Sequence, residues 1–388
     1  MRKIIVICEG LHDHTIVAQP WKHVVELASH MKKLGINVKM ISDRQRGEEE
    51  SEEIDSVPIA RLKKRGLFLD TTSLGKLLDE ENPNVVNWHC SDVWSSYYFW
   101  RLRKKTDFNA VWTLHSGLLT LDDVRNLGFQ DVIQLYKFWN NFANAYFPKT
   151  MIRGWASIPS VKHIITLSKR TASRLVDFGV APEKITSIPS GVDVDVFKPS
   201  KDPHEDEHNI LYFGPISSFR GIDVLLEAFA EIRQRFASAR LVILARGAKP
   251  DSRWVKKAGS SANLEIVGGT LDQGDVVRYL QRSSVVALPF KFWPQVECPS
   301  TVLEAMAIGK AVVTTSIGAV PEIVTSNENG MVIPPNDSKR LARVVVELLD
   351  RPEVREEMGR KARERVERFY DWQVVTENTM KILSKYAS

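Results

Sequence analysis

The chain has 388 residues, of which 43% are hydrophobic and 26% are charged, a composition typical of a globular protein long enough for two domains. The formal net charge of +5 is small and evenly spread, which argues against a dedicated nucleic-acid surface. The three cysteines Cys8, Cys90 and Cys298 are odd in number and far apart, which excludes a disulfide framework and zinc-finger spacing.

The first half of the chain alternates short apolar segments with helical patterns. Its first segment meets Glu9 at once, so it is too short for a signal peptide and predicts a β-strand. No apolar run approaches the roughly 20 residues that span a bilayer, and we expect a cytoplasmic protein. Apolar residues on one face of Trp21–Leu34 predict a helix that ends before Gly35. The acidic run Glu48–Glu53 predicts a solvated loop. The predicted strands are Lys3–Cys8, Asn37–Ile41, Val85–His89, Val111–His115, His163–Leu167 and Lys184–Ile188.

The second half repeats this rhythm. Helices are predicted over Ile222–Arg235 and over Ser338–Leu349, the latter after the N-cap candidate Asp337. Alternation on this scale indicates an α/β fold in which a mostly parallel sheet with helices on both faces is made twice. The charged, proline-containing segment 198–209 predicts a linker. The predicted strands are Asn209–Phe213, Arg240–Ala245, Leu264–Val267, Val285–Pro289 and Ala311–Thr314.

Three motif-bearing segments, residues 165–199, 210–232 and 296–337, occur in an order and at spacings that resemble the family-four retaining glycosyltransferases. The resemblance implies the GT-B fold: an acceptor-side Rossmann-like domain over residues 1–198, a nucleotide-sugar-binding Rossmann-like domain over 199–369, and a C-terminal helix over 370–388 that crosses back. It also implies parallel sheets facing an interdomain cleft. The implied reaction moves a sugar from a nucleoside diphosphate sugar to an acceptor hydroxyl with retention, in polysaccharide, glycolipid or glycan assembly, without a cofactor.

The segment PSTVLEAMAIGK places Ser300 as the cap of a short helix that runs from Thr301 to about Ile308 and is closed by Gly309. A helix N-terminus suits a diphosphate because its amides are unpaired and its dipole is positive. In the family, the glutamate at the place of Glu304 accepts hydrogen bonds from the ribose hydroxyls. The resemblance assigns donor binding to this helix start: Pro299, Ser300, Thr301, Val302 and Glu304.

The segment GPISSFRG carries the expected phosphate clamp. Gly214 ends a predicted strand, and the resemblance assigns Arg220 to the donor phosphates, where a forked cation stabilises the leaving group. The family usually has a second basic residue just after this glycine, but Pro215 stands there. The family also pairs two glutamates eight positions apart; eight before Glu304 is Val296. In the family the earlier glutamate of this pair contacts the sugar. Glu297 lies one position after Val296, so either the loop is shifted by one residue and Glu297 makes this contact, or no glutamate makes it in this chain.

In the first domain, His115 ends a predicted strand, where α/β sheets bind ligands, and the resemblance places it near the donor sugar. The loop after the first strand normally carries a glycine pair; here only Gly10 remains to approach the donor. The nearby run His12, Asp13 and His14 suggests a metal, but adjacent residues rarely converge on one ion, so we interpret it as an acceptor-binding loop. The DXD-like pair Asp193 and Asp195 lies in a connecting segment. We therefore predict no metal.

The acceptor is expected to be a carbohydrate or a lipid-linked carbohydrate. Aromatic residues cluster in 87–100 and 135–158, and we interpret them first as core packing. The alternative is that these aromatic residues form an acceptor-binding surface, and that nearby basic residues make peripheral contact with the inner face of the membrane. Two other functions stay open: a nucleotide-sugar epimerase of similar fold, and a non-catalytic nucleotide or sugar binder. An NAD dehydrogenase is disfavoured because no GxGxxG follows the first strand. The basic residues of that surface are Arg101, Arg103, Lys104, Lys105, Lys149 and Arg153.

Overall fold

A computed structural model describes most of the chain, in twelve stretches. These are residues 2–12, 15, 19–66, 68–90, 101–102, 108–115, 117–118, 149–200, 206–246, 263–269, 271–292 and 297–387. The chain forms two compact units, Met1–Ser190 with Trp372–Ser388 (unit 1) and Gly191–Asp371 (unit 2). No helix in the described part of the chain is long and apolar enough to cross a membrane.

Strands and helices alternate in both units, as the sequence predicts. The strands are β1 Lys3–Ile7, β2 Asn37–Asp43, β3 Ser51–Ile54, β4 Val57–Leu62, β5 Lys64–Arg65, β6 Phe68–Leu69, β7 Val85–Cys90, β8 Ala110–Leu114, β9 Val161–Thr166, β10 Ile185–Ser187, β11 Asn209–Gly214, β12 Arg240–Arg246, β13 Leu264–Gly269, β14 Val285–Leu288, β15 Ala311–Thr315 and β16 Met331–Ile333. The helices are α1 Trp21–Lys33, α2 Thr71–Glu81, α3 Lys149–Ala156, α4 Lys169–Asp177, α5 Ile222–Arg235, α6 Gln273–Arg282, α7 Ser300–Ala307, α8 Val320–Ile323, α9 Ser338–Asp350, α10 Pro352–Phe369 and α11 Trp372–Tyr386.

Unit 1 contains an eight-stranded sheet in the order β10-β9-β8-β7-β1-β2-β4-β3. All its neighbours are parallel except β3 and β4. Successive residues of β1 point to opposite faces, so Ile5 and Ile7 enter one core while Ile4 and Val6 enter the other. Helix α11 packs against α1 on this second face, where Trp372 is buried. Both faces are therefore covered, as a parallel sheet requires.

Unit 2 contains a six-stranded parallel sheet in the order β13-β12-β11-β14-β15-β16. It begins at Gly191, earlier than the predicted boundary at 198/199. The reason is long-range pairing: Val192 forms a β-bridge with Asp371, and Phe197 is buried. The Arg363 guanidinium donates to the carbonyl oxygens of Phe197 (2.6 Å) and Val194 (3.0 Å). These contacts tie the residues before the charged linker to unit 2.

Each sheet has one place where the strand order reverses. In unit 2 the chain runs from β11 outward to β12 and β13, then returns to β14 on the other side of β11. In unit 1 it runs from β1 to β2 and then places β7 on the opposite side of β1. Loops that follow the two strands at such a point diverge and leave a crevice at the carboxyl edge, where α/β proteins bind ligands. Residues that bind a ligand are therefore expected at this edge of each sheet.

The prediction of a solvated loop over Glu48–Glu53 is correct for residues 48–50 and wrong for the rest. From Ser51 onward the segment forms strand β3, which pairs antiparallel with β4. The guanidinium of Arg61, which lies on β4 and is 4% exposed, forms an ion pair with the Glu52 carboxylate. Glu48 contacts a buried histidine, His12, with 2.8 Å between Oε1 and Nδ1. The acidic run thus pairs with buried side chains of neighbouring segments, which a local view of the sequence does not reveal.

Candidate functional site

Helix α7 follows β14 and begins at Ser300, with Pro299 as its N-cap. The prediction that Ser300 is the cap is therefore wrong by one residue. The extended Pro299 carbonyl already accepts from the amides of Val302 (3.0 Å) and Leu303 (3.4 Å), and no side chain caps the helix. The amides of Ser300 and Thr301 are left without an intrahelical acceptor, which suits an anion. The Thr301 hydroxyl is buried there and has no hydrogen-bond partner among the described residues.

Glu304 lies in the second turn of α7 and is 1% exposed. It is four residues after Ser300 and three after Thr301, so all three share one face of the helix. Helical side chains point back toward the N-terminus, which directs the Glu304 carboxylate toward the helix start. Glu297, just ahead of the helix, is also buried. The position of Val296 lies outside the described residues, so neither interpretation of the shifted glutamate pair is tested.

The end of strand β11 packs directly on the start of α7. Gly214 has a φ of +133°, and a Cβ built on it would lie 3.6 Å from Cγ2 of Thr301. The turn that follows is held by a hydrogen bond from the Tyr212 hydroxyl to the Pro215 carbonyl (2.7 Å). Burial raises the pKa of Tyr212, so this hydroxyl stays a donor. The predicted donor residues Gly214 and Thr301 therefore lie together at the point of strand-order reversal.

Arg220 ends a 3₁₀ turn, Ser218–Arg220, on the loop that follows β11. Its Cζ lies 5.3 Å from the centroid of the Phe290 ring, just after β14, in a cation–π contact. Burial lowers the pKa of Arg220 and the neighbouring Tyr212 raises it, but a guanidinium remains protonated in either case. Arg220 makes no salt bridge to any carboxylate that the structure describes. Its charge is therefore available to a ligand.

Lys291, which sequence reasoning missed, follows Phe290 at this same edge. Its ammonium donates to Oδ2 of Asp223 in the first turn of α5, at 2.8 Å, and its backbone amide donates to the Phe219 carbonyl at 2.9 Å. Because it is already paired with a carboxylate, Lys291 adds less free positive charge than Arg220 does. The only signal in the sequence was its position directly after a predicted strand.

In unit 1, His115 directly follows β8 and joins two histidines that sequence reasoning did not single out. His89 is the fifth residue of β7, and its Nδ1 lies 2.8 Å from Nε2 of His115. His23, on α1, places its ring centroid 4.7 Å from that of His115 and 5.7 Å from that of His89. We call these three residues the histidine cluster. It lies beside β1 and β7, where the strand order of unit 1 reverses.

Burial keeps the histidine cluster uncharged. It lowers the pKa of His23 to about 3. The pKa values of His89 and His115 also lie well below the usual range, first because of burial and then because of repulsion by the neighbouring histidines. Three neutral imidazoles can accept protons, exchange them or ligate a cation. Contact between His115 and a donor sugar stays a prediction of the resemblance.

The loop after β1 is held by buried ionic contacts. The Gly10 amide donates to Oδ1 of Asp43 at 2.5 Å, and Gly10 has a φ of +83° with Trp21 against it. His12 is 3% exposed and lies between the carboxylates of Asp43 (3.4 Å) and Glu48 (2.8 Å). His12 therefore helps to hold this loop, and the interpretation of the run as an acceptor-binding loop stays a prediction. Asp13 and His14 lie outside the described residues.

The DXD-like pair forms a turn, because Oδ1 of Asp193 accepts from the amides of Asp195 (2.9 Å) and Val196 (3.0 Å). Most of the aromatic and basic stretches 87–107 and 119–148, including Arg103, Lys104 and Lys105, lie outside the described residues. The proposed acceptor surface therefore stays a prediction.

Two protein-family models match the chain, one on each half. The model described as "Glycosyltransferase Family 4" matches residues 21–196. The model described as "Glycosyl transferases group 1" matches residues 193–365. Together they extend over nearly the whole chain; of the candidate residues, only Gly10 and the nearby His12, Asp13 and His14 precede the matched ranges.

The chain is also similar to individual characterised proteins. It is 26% identical to the MMP alpha-(1->4)-mannosyltransferase of Mycolicibacterium hassiacum over 63% of this chain and 61% of that protein. The chain thus spans less than two thirds of the length of the curated relatives it matches first. Among solved structures, sucrose-phosphate synthase from Thermosynechococcus elongatus has a TM-score of 0.78 at 18% identity, covering 99% of both chains. Anabaena Alr3699/HepE in complex with UDP-glucose has a TM-score of 0.73 at 14% identity, covering 99% of this chain and 100% of that one. These two structures establish the likeness of fold.

Proposed function

The chain belongs to the group 1 glycosyltransferases of the family-four type, with two α/β domains of the GT-B fold, and from this membership we propose that it transfers a glycosyl group from a nucleoside diphosphate sugar to an acceptor hydroxyl. The proposal includes retention of the anomeric configuration and no metal cofactor for the transfer. The acceptor is proposed to be a carbohydrate or a lipid-linked carbohydrate. Peripheral contact with a membrane is proposed only for the case in which the acceptor is lipid-linked.

One observation carries the proposal: the start of α7 and the residue Arg220 follow the two neighbouring strands β14 and β11 at the reversal point of unit 2. At that edge lie a positive helix end with unpaired amides, a buried hydroxyl without a partner on Thr301, and a guanidinium without a carboxylate partner. A diphosphate satisfies all three, because it brings negative charge and several acceptor oxygens. The buried Glu304 carboxylate, on the same helix face, suits the two hydroxyls of a ribose.

The chemistry follows from the leaving group. As the glycosyl bond breaks, negative charge develops on the departing diphosphate. Arg220 is held on the Phe290 ring before the substrate arrives, so its charge is in place when the transition state forms. The α7 amides and the Thr301 hydroxyl donate to the same oxygens. The departing phosphate oxygen then takes the proton of the acceptor hydroxyl, which requires no protein nucleophile.

Pro215 sets a limit on this clamp. It is exposed and cannot supply the second cation that the family usually has at that place. Lys291 is a second cation at this edge of the sheet, but its ammonium is paired with the Asp223 carboxylate. Arg220 is therefore proposed to carry most of the charge stabilisation from side chains. Its replacement should cost more than it would in a clamp with two free cations.

The binding half of the proposal is tested with nucleotides alone. UDP-glucose and UDP are suitable first probes because a structural neighbour is recorded with each of them, followed by other nucleoside diphosphates. Thermal shift identifies a bound nucleotide because a ligand that binds only the folded protein stabilises it. With that nucleotide, Glu304→Ala should raise Kd by about tenfold or more, since two charge-assisted hydrogen bonds are lost. Glu347→Ala, an exposed glutamate of α9 in the same unit, is the matched control.

The catalytic half is tested by turnover. Arg220→Ala should lower kcat more than it raises KM, because its charge acts mainly in the transition state. Arg351→Ala, an exposed arginine of unit 2, is the control. Unchanged kinetics in Arg220→Ala together with unchanged nucleotide binding in Glu304→Ala would reject the site. Tight nucleotide binding without turnover over a panel of acceptors would instead identify a non-catalytic binder.

A further inference from the structure

We propose that the histidine cluster of His23, His89 and His115 is a binding site for a divalent transition-metal ion of the Zn²⁺ class. This inference goes beyond the proposed transfer, to which the metal is not assigned as a cofactor. Each histidine offers one ring nitrogen, and the three ligand atoms lie within 4.8 Å of one another. They come from three separate elements, α1, β7 and the residue after β8, at the strand-order reversal of unit 1.

The outer contacts orient His89 as a ligand. Asn87 donates its side-chain amide to the Thr113 hydroxyl (2.9 Å) and to the Val111 carbonyl (3.3 Å), so its Oδ1 is the acceptor. That oxygen lies 2.7 Å from Nε2 of His89, which therefore carries the proton. The lone pair of His89 is left on Nδ1, the atom that faces His115. A ring N–H donated to a fixed carbonyl is the usual outer shell of a metal-bound histidine.

His23 and His115 complete the arrangement. Nδ1 of His23 is 3.0 Å from the hydroxyl of Ser190, and the ring is held edge-on against Trp372 at a centroid distance of 5.1 Å. Nδ1 of His115 is buried and has no hydrogen-bond partner among the described residues. Nε2 of His115, 2.8 Å from Nδ1 of His89, is the nitrogen that would bind the ion, so Nδ1 is the ring nitrogen that carries the proton.

The chemistry of the ligands selects the ion. Imidazole nitrogen suits Zn²⁺, Cu²⁺, Ni²⁺ and Co²⁺, whereas Mg²⁺ and Ca²⁺ require oxygen ligands, which the cluster does not present. Zn–N bonds of about 2.1 Å place tetrahedral ligands roughly 3.4 Å apart. The His89–His115 pair must therefore open by about half an ångström, and His23 must move inward on its helix.

The experiment measures metal binding by the full-length, tag-free chain without any nucleotide. After removal of metals with a chelator, Zn²⁺ is titrated in competition with a chromophoric indicator, and Co²⁺ is titrated while its visible absorption is recorded. We expect one ion per chain, with the intense visible bands of low-coordinate Co²⁺. His23→Gln, His89→Gln and His115→Gln should each weaken binding by more than about tenfold, since even outer-shell changes cost 10- to 100-fold.

His30→Gln is the matched control, because His30 lies on the same helix and contacts the same Trp372 ring but is not in the cluster. It should bind as the unsubstituted chain does. If a cluster variant does not fold, the unsubstituted chain still decides, since a Co²⁺ spectrum of only the hydrated ion would overturn the proposal. Equal loss in His30→Gln, or retained binding in all three cluster variants, would overturn it as well. Failure of nucleotide binding or turnover leaves this titration unaffected, so the two proposals fail separately.

Discussion

Gly221 stands between Arg220 and helix α5, at a point where the backbone leaves no room for a side chain. It has a φ of +73°, and a Cβ built on it would lie 1.8 Å from the carbonyl oxygen of Pro289. The obstacle is backbone at the end of the central strand β14, so no side-chain rotation can relieve it. We predict that Gly221→Ala strongly destabilises unit 2 and displaces Arg220.

The loss of stability follows from the backbone conformation, the steric overlap and a hydrogen bond between the two segments. An alanine in the left-handed region costs about 1–2 kcal/mol, partly offset by about 0.4–1 kcal/mol from the stiffer unfolded chain. A carbon–oxygen contact needs roughly 3.3 Å, so the Cβ and the Pro289 oxygen must separate by about 1.5 Å. Such overpacking costs about 1–3 kcal/mol, and the hydrogen bond from the Lys291 amide to the Phe219 carbonyl, worth about 1 kcal/mol, bridges the same two segments. These terms together amount to about 2–6 kcal/mol.

Two glycines of the same unit separate the contributions. Gly309 has a φ of +78°, but its Cβ would meet only ordinary contacts at 3.6 and 3.7 Å, so Gly309→Ala measures the backbone cost alone. Gly359 lies inside α10, and its Cβ would lie 1.9 Å from the Gly309 carbonyl oxygen, so Gly359→Ala measures a backbone clash within a helix.

Differential scanning calorimetry is the assay, because the two units can unfold in separate transitions. At about 2–4 °C per kcal/mol for a unit of this size, Gly221→Ala should lower one Tm by about 10 °C and Gly309→Ala by about 3 °C. Gly359→Ala should fall close to Gly221→Ala. If Gly221→Ala and Gly309→Ala differ by less than 1 °C, the steric reasoning is refuted.

Two further predictions concern stability. Arg363→Ala removes hydrogen bonds to three backbone carbonyls and should lower the free energy of unfolding, measured in urea, by about 3 kcal/mol. Arg360 is an exposed neighbour with surface ion pairs, so Arg360→Ala should change that free energy by less than about 1 kcal/mol. Similar losses in the two variants would contradict the role of Arg363. Burial and then the Lys385 charge lower the pKa of His163 to about 4, so only the unfolded chain binds this proton between pH 6.5 and about 4. Stability should therefore fall as the pH is lowered through that window, and His163→Gln should make Tm less dependent on pH there; an unchanged dependence would show that other groups control it.

Much of the fold could be predicted because its signals are local. The buried run Asn209–Gly214 reads as a strand from its own residues, and helix Ile222–Arg235 has the bounds its periodicity predicts. The cap Asp337 is likewise correct, since its side chain accepts from the Arg340 amide at 2.8 Å. Ser300 was misplaced because a proline can occupy the N-cap through its backbone alone, which capping rules based on side chains do not anticipate.

Features that depend on contacts distant in sequence were not predicted. The polar composition of segment 198–209 indicates a linker but does not show that Phe197, just before it, is buried in unit 2. The pattern of the acidic run does not show that Glu52 pairs with Arg61, because Arg61 lies on another strand. His89 could have been found, since it lies near the end of a predicted strand, as His115 does. His23 could not, because only the packing of α1 against the sheet brings it to the other two.

The two candidate sites therefore respond differently to substitution. In unit 2, the proposed ligand contacts come from the first amides of α7 and from the side chains of Arg220, Thr301 and Glu304, and the position of Arg220 depends on the close approach of Gly221 to Pro289. Any side chain added there acts through displaced backbone, so conservative changes are not tolerated. In unit 1, the proposed ligands are side chains, of which His23 is held by Ser190 and His89 by Asn87. Removing one such contact should loosen a single ring and leave the sheet intact, because strands β7 and β8 are held by their own backbone ladders.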